Sequence, residues 1–154
     1  MFMGRCGVCL EARIRIRSAV RGMGAAGRTT VEAVGTYAER NGSYYARYKE
    51  PAGSGLEGAA TTIKWNEAFV AILRSEPDAM RQEFVQDQTW ETVYRTPYLS
   101  LPLRVRTRRL AVRRRGAAWI IQLEYDSVLG GEESSLAVTI EVTRTERAAA
   151  DRKE

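Results

Sequence analysis

The sequence predicts an all-β chain folded as one antiparallel, up-and-down β-barrel of about eight to ten strands. Nearly every segment alternates apolar and polar residues with period two, and few stretches place apolar residues at helical spacing. The breaks between segments carry hairpin chemistry, above all Asn41-Gly42 and Gly130-Gly131. Sequential strands with one apolar face each must hide that face and dispose of their edges. Closing into a barrel does both.

The elements follow in order. Residues 11–20 alternate arginine with isoleucine, and 22–28 read as a Gly-rich connector. Gly22-Met23-Gly24 lies in it without the βαβ context a phosphate loop needs. Strands 29–40 and 43–50 flank Asn41-Gly42, where both residues tolerate the positive φ of a type I′ turn. That turn puts Val31, Ala33, Gly35, Tyr37, Tyr44, Ala46 and Tyr48 on one face, with Gly35 opposite Tyr48. A ring over a strand glycine covers exposed backbone. Thr36, Arg40, Arg47 and Lys49 take the solvent face. After a second loop over 51–58 come strands 57–65 and 68–74, which reverse at Asn66-Glu67. Strands 80–85 and 89–96 follow Pro77-Asp78.

Strand 99–114 contains an irregularity. Leu99, Leu101, Leu103 and Val105 share one parity, while Leu110 and Val112 have the other. The phase flips near Arg108-Arg109, which predicts a β-bulge that bends the strand. A turn at Arg115-Gly116 would set Val112 opposite Trp119 and Leu110 opposite Ile121. Strands 117–128 and 132–144 then pair across Gly130-Gly131. Tyr125 meets Leu136, Leu123 meets Val138, Ile121 meets Ile140 and Trp119 meets Val142, all on one face. A one-residue slip would destroy this match, so the register is well specified. Residues 10–144 form the core of a single domain. Residues 1–9 read as an extension, and 145–154 as a polar tail, helical or disordered.

Composition narrows the chemistry. The 154 residues are 44% hydrophobic and 28% charged, the balance of a soluble globular domain. The chain contains no histidine. That removes the usual general base near neutral pH, Ser/His and Cys/His nucleophile pairs, and imidazole metal sites. Cys6 and Cys9 alone cannot complete a four-ligand zinc site, and no second pair or βαβ strand makes them a redox motif. No metal site and no cofactor are expected. No apolar run approaches the roughly 20 residues that span a bilayer. The opening residues are too short and too soon charged for a signal peptide, so a cytoplasmic protein without membrane insertion is expected.

The order of several short motifs resembles a known family. Gly35-Thr36-Tyr37, Asn41-Gly42-Ser43-Tyr44-Tyr45 and Tyr48-Lys49-Glu50 are similar to the opening of the YwiB-like bacterial proteins of unknown function. Thr61-Thr62-Ile63-Lys64, the segment from Arg74 through Met80 to Phe84, and Ile121-Gln122-Leu123-Glu124-Tyr125 with Gly130 continue in that family's order. The resemblance spans about residues 10–144. It implies a calycin-like, lipocalin-related antiparallel barrel, and it implies no activity and no catalytic residues. The arginine richness and the cysteine-bearing N-terminal segment depart from the family pattern.

Two sets of residues are candidates for function. Tyr37, Tyr44, Tyr48, Trp119 and Tyr125 share the interior face, where a barrel of this size either fills with side chains or holds one small ligand. Buried tyrosine hydroxyls need hydrogen-bond partners, which a bound ligand or ordered water could supply. The second set is basic. Lys+Arg totals 24 against 19 acids, for a net charge of +5, and segment 101–115 holds seven arginines and no acid. Arg13, Arg15 and Arg17, and likewise Arg104, Arg106 and Arg108, alternate with apolar residues and so project outward. Were the two strands neighbours, six guanidiniums would suit RNA or another acidic partner. The bland alternative is a solvated face paired with Glu32, Glu91, Glu124 and Glu141. Glu50, Glu57, Glu67, Glu76 and Asp78 sit near loops without a spacing that fixes a catalytic pair. The favoured expectation is therefore a non-enzymatic barrel with an interior ligand, with the arginine face as the alternative. Oligomeric state is open.

Overall fold

The computed structural model describes residues 9–22, 25–52, 57–75 and 79–148. Among them, strand follows strand with no helix between: β1 (Leu10–Gly22), β2 (Ala25–Arg40), β3 (Ser43–Lys49), β4 (Ala60–Asn66), β5 (Phe69–Arg74), β6 (Met80–Phe84), β7 (Thr89–Arg95), β8 (Ser100–Arg115), β9 (Ala118–Leu129) and β10 (Glu132–Ala148). All pairings are antiparallel, in the order β6-β5-β4-β3-β2-β1-β10-β9-β8-β7. The first and last strands thus pair with each other, and the meander curls into a nearly closed barrel.

Turn chemistry sets the registers. Asn41 and Gly42 take φ of 52° and 81°, and Arg40 pairs with Ser43. Gly130-Gly131 pairs Leu129 with Glu132, and the four predicted apolar pairs of β9 and β10 follow. Gly35 meets the backbone of β3 closely. A side-chain carbon there would fall on the Arg47 carbonyl and lie 3.0 Å from Tyr48 Cβ.

Three expectations need correction. The β8–β9 turn is Gly116-Ala117, not Arg115-Gly116, so Val112 faces Ile121 and Leu110 faces Leu123. Gly116 has φ +61° and occupies the first turn position, a left-handed conformation that glycine adopts without strain. The two-residue shift keeps the apolar face and changes only the partners. The 22–28 connector is mostly strand, because the β1–β2 ladder runs on to Gly22 paired with Ala25. The polar tail likewise begins as strand. β10 continues to Ala148, paired with Leu10.

The predicted bulge is present. Thr107 pairs with Tyr125 and Arg109 with Glu124, leaving Arg108 as the extra residue. The bulge also receives the β6–β7 turn. Asp87 N donates to Thr107 O at 2.8 Å, Thr107 N to Gln88 O at 3.0 Å, and Leu110 N to Gln86 Oε1 at 3.2 Å. β6 and β7 form the seam. They share no ladder, but Arg95 N donates to Ala79 O at 3.3 Å, and Trp90 Nε1 donates to Arg81 O at 3.2 Å.

The interior holds Ile14, Ile63, Trp65, Val105, Ile121, Leu123, Ile140 and Val142, each at most 1% exposed. Gly35→Ala is expected to destabilise the fold by about 2–3 kcal/mol, since backbone must move to admit the methyl group. Gly27→Ala, whose added carbon meets nothing within 4 Å, should stay within about 0.5 kcal/mol of the parent. Urea unfolding of both variants checks the contrast.

Candidate functional site

Side chains facing the interior sort into two ends. Beside the Asn41-Gly42 turn, Tyr37, Tyr44, Trp65 and Trp119 pack ring to ring. Centroids lie 4.5 Å apart for Tyr44–Trp119, 6.0 Å for Tyr44–Trp65, 6.0 Å for Trp65–Trp119 and 6.3 Å for Tyr37–Trp65. Trp119 Nε1 donates to the Tyr37 hydroxyl at 3.3 Å. Guanidiniums of Arg114 and Arg144 lie over Trp119 and Tyr37, at 4.9 and 5.8 Å from the ring centres. Each aromatic pair adds about 0.5–1.5 kcal/mol beyond its buried area. This end is a packed plug.

The other end is polar. Glu50, just past β3, is buried despite its charge, and Thr61 Oγ1 donates to its carboxylate at 2.5 Å. The Tyr48 hydroxyl lies beside Glu50 and Thr61 and within the field of Arg74. Arg74 faces inward because it stands in register with Thr61, in the same row as Ile72 and Val70. Its Nε is buried with no hydrogen-bond partner, and its guanidinium has no ion pair among the described residues. Tyr125 feels the charge of Arg74 and packs on Phe84 with centroids 4.8 Å apart. Thr107, opposite Tyr125, has a buried hydroxyl without a partner, as does the Trp65 indole nitrogen nearer the plug.

Burial dominates the titration of both interior tyrosines. It pushes the Tyr48 hydroxyl far above its ordinary value, helped by the negative charge of Glu50. Burial pushes Tyr125 up to about 12, with Arg74 pulling back. Around this polar group, Ile16, Val31, Ala33, Met80, Leu129 and Leu136 face inward yet are only partly buried.

The five predicted lining residues all face the interior, but they form two groups. Tyr37, Tyr44 and Trp119 join the plug, whereas Tyr48 and Tyr125 flank Arg74. Sequence reasoning missed Trp65, Glu50, Thr61, Arg74 and Thr107. The available signal was parity. An arginine in one row with Val70 and Ile72 is a charge on an apolar face.

The two arginine stripes do not meet. Arg13, Arg15 and Arg17 on β1, and Arg104, Arg106 and Arg108 on β8, all point outward and are exposed. β10 and β9 lie between them, a separation of about 14 Å at normal strand spacing. Four of the six are paired: Arg15 with Glu32 at 3.0 Å, Arg17 with Glu141 at 3.1 Å, Arg104 with Glu91 at 3.2 Å, and Arg108 with Asp126 and Glu124 at 3.2 and 3.6 Å. Arg13 and Arg106 form no ion pair among the described residues. Cys9 lies ahead of β1 in a disulfide, and Cys6 falls outside the described residues. No cluster of His, Cys, Asp or Glu able to hold a metal occurs among the described residues, and no helix long and apolar enough to cross a membrane occurs among them.

Comparison with known proteins gives two matches. A family model described as a domain of unknown function, DUF1934, matches residues 14–140. The crystal structure of the ywiB protein from Bacillus subtilis is similar to this fold, with a TM-score of 0.74. It shares 21% identity over 86% of this chain and 92% of that one, a likeness of fold alone. No curated protein matches the chain.

The Tyr125 shift yields a pH prediction. Below pH 10 the hydroxyl is neutral folded and unfolded, so its burial contributes fully. Between about pH 10 and about pH 12 the unfolded chain ionises first, and that contribution is lost. Tyr125→Phe should flatten the alkaline fall in urea midpoint over this window. Tyr98→Phe, at a side chain 91% exposed, should leave the curve's shape unchanged.

Proposed function

The chain belongs to the DUF1934 family, and from that premise we propose that it is a non-enzymatic barrel taking a small apolar or amphipathic molecule into its interior. One observation carries this reading. At the polar end, inward apolar side chains stay partly accessible beside buried polar atoms that have no protein partner. Interiors normally satisfy such atoms, since each orphan costs about 1–3 kcal/mol. Barrel width supports the reading too. Eight strands already enclose side chains or one small ligand, and ten enclose more. Small residues at Ala12, Ala33, Gly35 and Ala46 keep that wall thin. The plug closes the opposite end, so a ligand would enter past Val31, Met80 and Leu136.

A second reading, RNA or another acidic partner on the arginine face, has one geometric feature in its favour. Arg21, Arg104 and Arg106 border an outward groove of about 480 Å³ whose lining also includes Asp126 and Glu133. The ion pairs along both stripes weigh against it. Its test is the salt dependence of binding to a single-stranded RNA, which should weaken steeply from low to physiological salt if phosphates are bound.

The interior reading is tested with N-phenyl-1-naphthylamine, a neutral apolar dye. Its fluorescence should rise saturably at one dye per chain. Ala33→Phe should weaken binding about tenfold or more, a change of 1.4 kcal/mol per decade, and outward Val34→Ser should not. Dye binding that is unsaturable, or indifferent to Ala33→Phe in a folded variant, would sink the proposal.

A further inference from the structure

Resting on that interior reading, we propose that Arg74 is the head-group site: the ligand is an amphiphile whose anionic oxygen head pairs with this guanidinium while its apolar part lies along the inner wall. Charge accounting at the polar end leads there. Glu50 is already served, because Thr61 donates to its carboxylate and the Tyr48 hydroxyl lies beside it. Arg74 has no such service. No carboxylate lies within ion-pair distance of it among the described residues, and its buried Nε has no acceptor.

A second partnerless atom at this end is consistent with this chemistry. The Thr107 hydroxyl, opposite Tyr125, can donate, and the residue is fully buried and faces inward. An orphan N–H group and a free hydroxyl call for acceptor oxygens. A carboxylate or phosphate supplies several, and guanidinium accepts either in a forked, charge-assisted geometry. A cationic head would instead meet Arg74 with like charge. Tyr48 and Tyr125 flank the site as neutral hydroxyls up to alkaline pH, so they add no competing anion.

Carboxylate and phosphate heads share this chemistry, and the experiment separates them. Dodecanoate, dodecyl phosphate, dodecanol and dodecyltrimethylammonium are titrated below their micelle concentrations against the full chain, with displacement of the naphthylamine dye as readout. At least one anionic probe should bind tenfold or more tighter than dodecanol, and the cationic probe more weakly than dodecanol. The tighter of the two anions identifies the head. Arg74→Gln should remove the anionic preference while leaving dodecanol affinity within about twofold, and Arg74→Lys should restore part of it. Equal affinity for anionic and neutral probes would overturn the head-group assignment and leave the interior reading standing. Displacement by no alkyl probe of any charge would overturn both. The comparison across heads uses the unaltered chain, so it decides the matter even if Arg74→Gln fails to fold.

Discussion

The pairing of β1 with β10 is the contact on which the rest of the molecule depends. It joins the two ends of the described chain along a ladder that runs from Leu10 with Ala148 to Arg21 with Ser135, with one register shift between Leu10 and Ala12. Without it, β1 through β6 and β7 through β10 would be two open meanders, each with an exposed edge and a wet apolar face. With it, Ile14 lies between Ala33 and Val142, and both halves contribute to one interior. The cost is loop-closure entropy across nearly the entire sequence, the kind of contact that slows folding.

Because the termini close the barrel, its seam has to fall elsewhere. It falls between β6 and β7, strands joined by the short turn at 85–88. Sequence adjacency keeps these edges together without a full ladder. The bulge at Thr107–Arg109 then anchors the turn, offering backbone groups that a regular ladder would have consumed. The parity flip in β8 therefore serves two ends. It bends the strand and gives the seam its backbone anchor.

How much of this was legible follows from range. All ten strands could be read from period-two alternation, and the Asn41-Gly42 and Gly130-Gly131 registers from turn chemistry, because both signals are local. The Gly116-Ala117 turn was misread by one residue, since a single glycine leaves open whether it stands first or second in the turn. Strand neighbours that are distant in sequence were not legible. Nothing in Arg15 or Arg106 reveals that β10 and β9 separate them, which is why the two stripes read as one surface. The family resemblance supplied the barrel but said nothing of its interior. There, sequence patterns ranked the aromatic rings, the most conspicuous residues, over the arginine among them.

That ranking matters because the packed ring cluster and the arginine occupy opposite ends. Tyr37, Tyr44, Trp65 and Trp119 pack ring on ring, and an interior built only of such contacts would be a solid core. Arg74 breaks the pattern at a position where leucine would have completed the row begun by Val70 and Ile72. Placing a guanidinium there costs desolvation, and a structural role would require a carboxylate to offset it. Glu50 is the acid at hand, yet its hydrogen bond is with Thr61, and the two charges act on Tyr48 in opposite senses without pairing. One nitrogen of Arg74 is thus buried without an acceptor from the protein, a cost that the surrounding packing leaves in place and that the head-group proposal would account for.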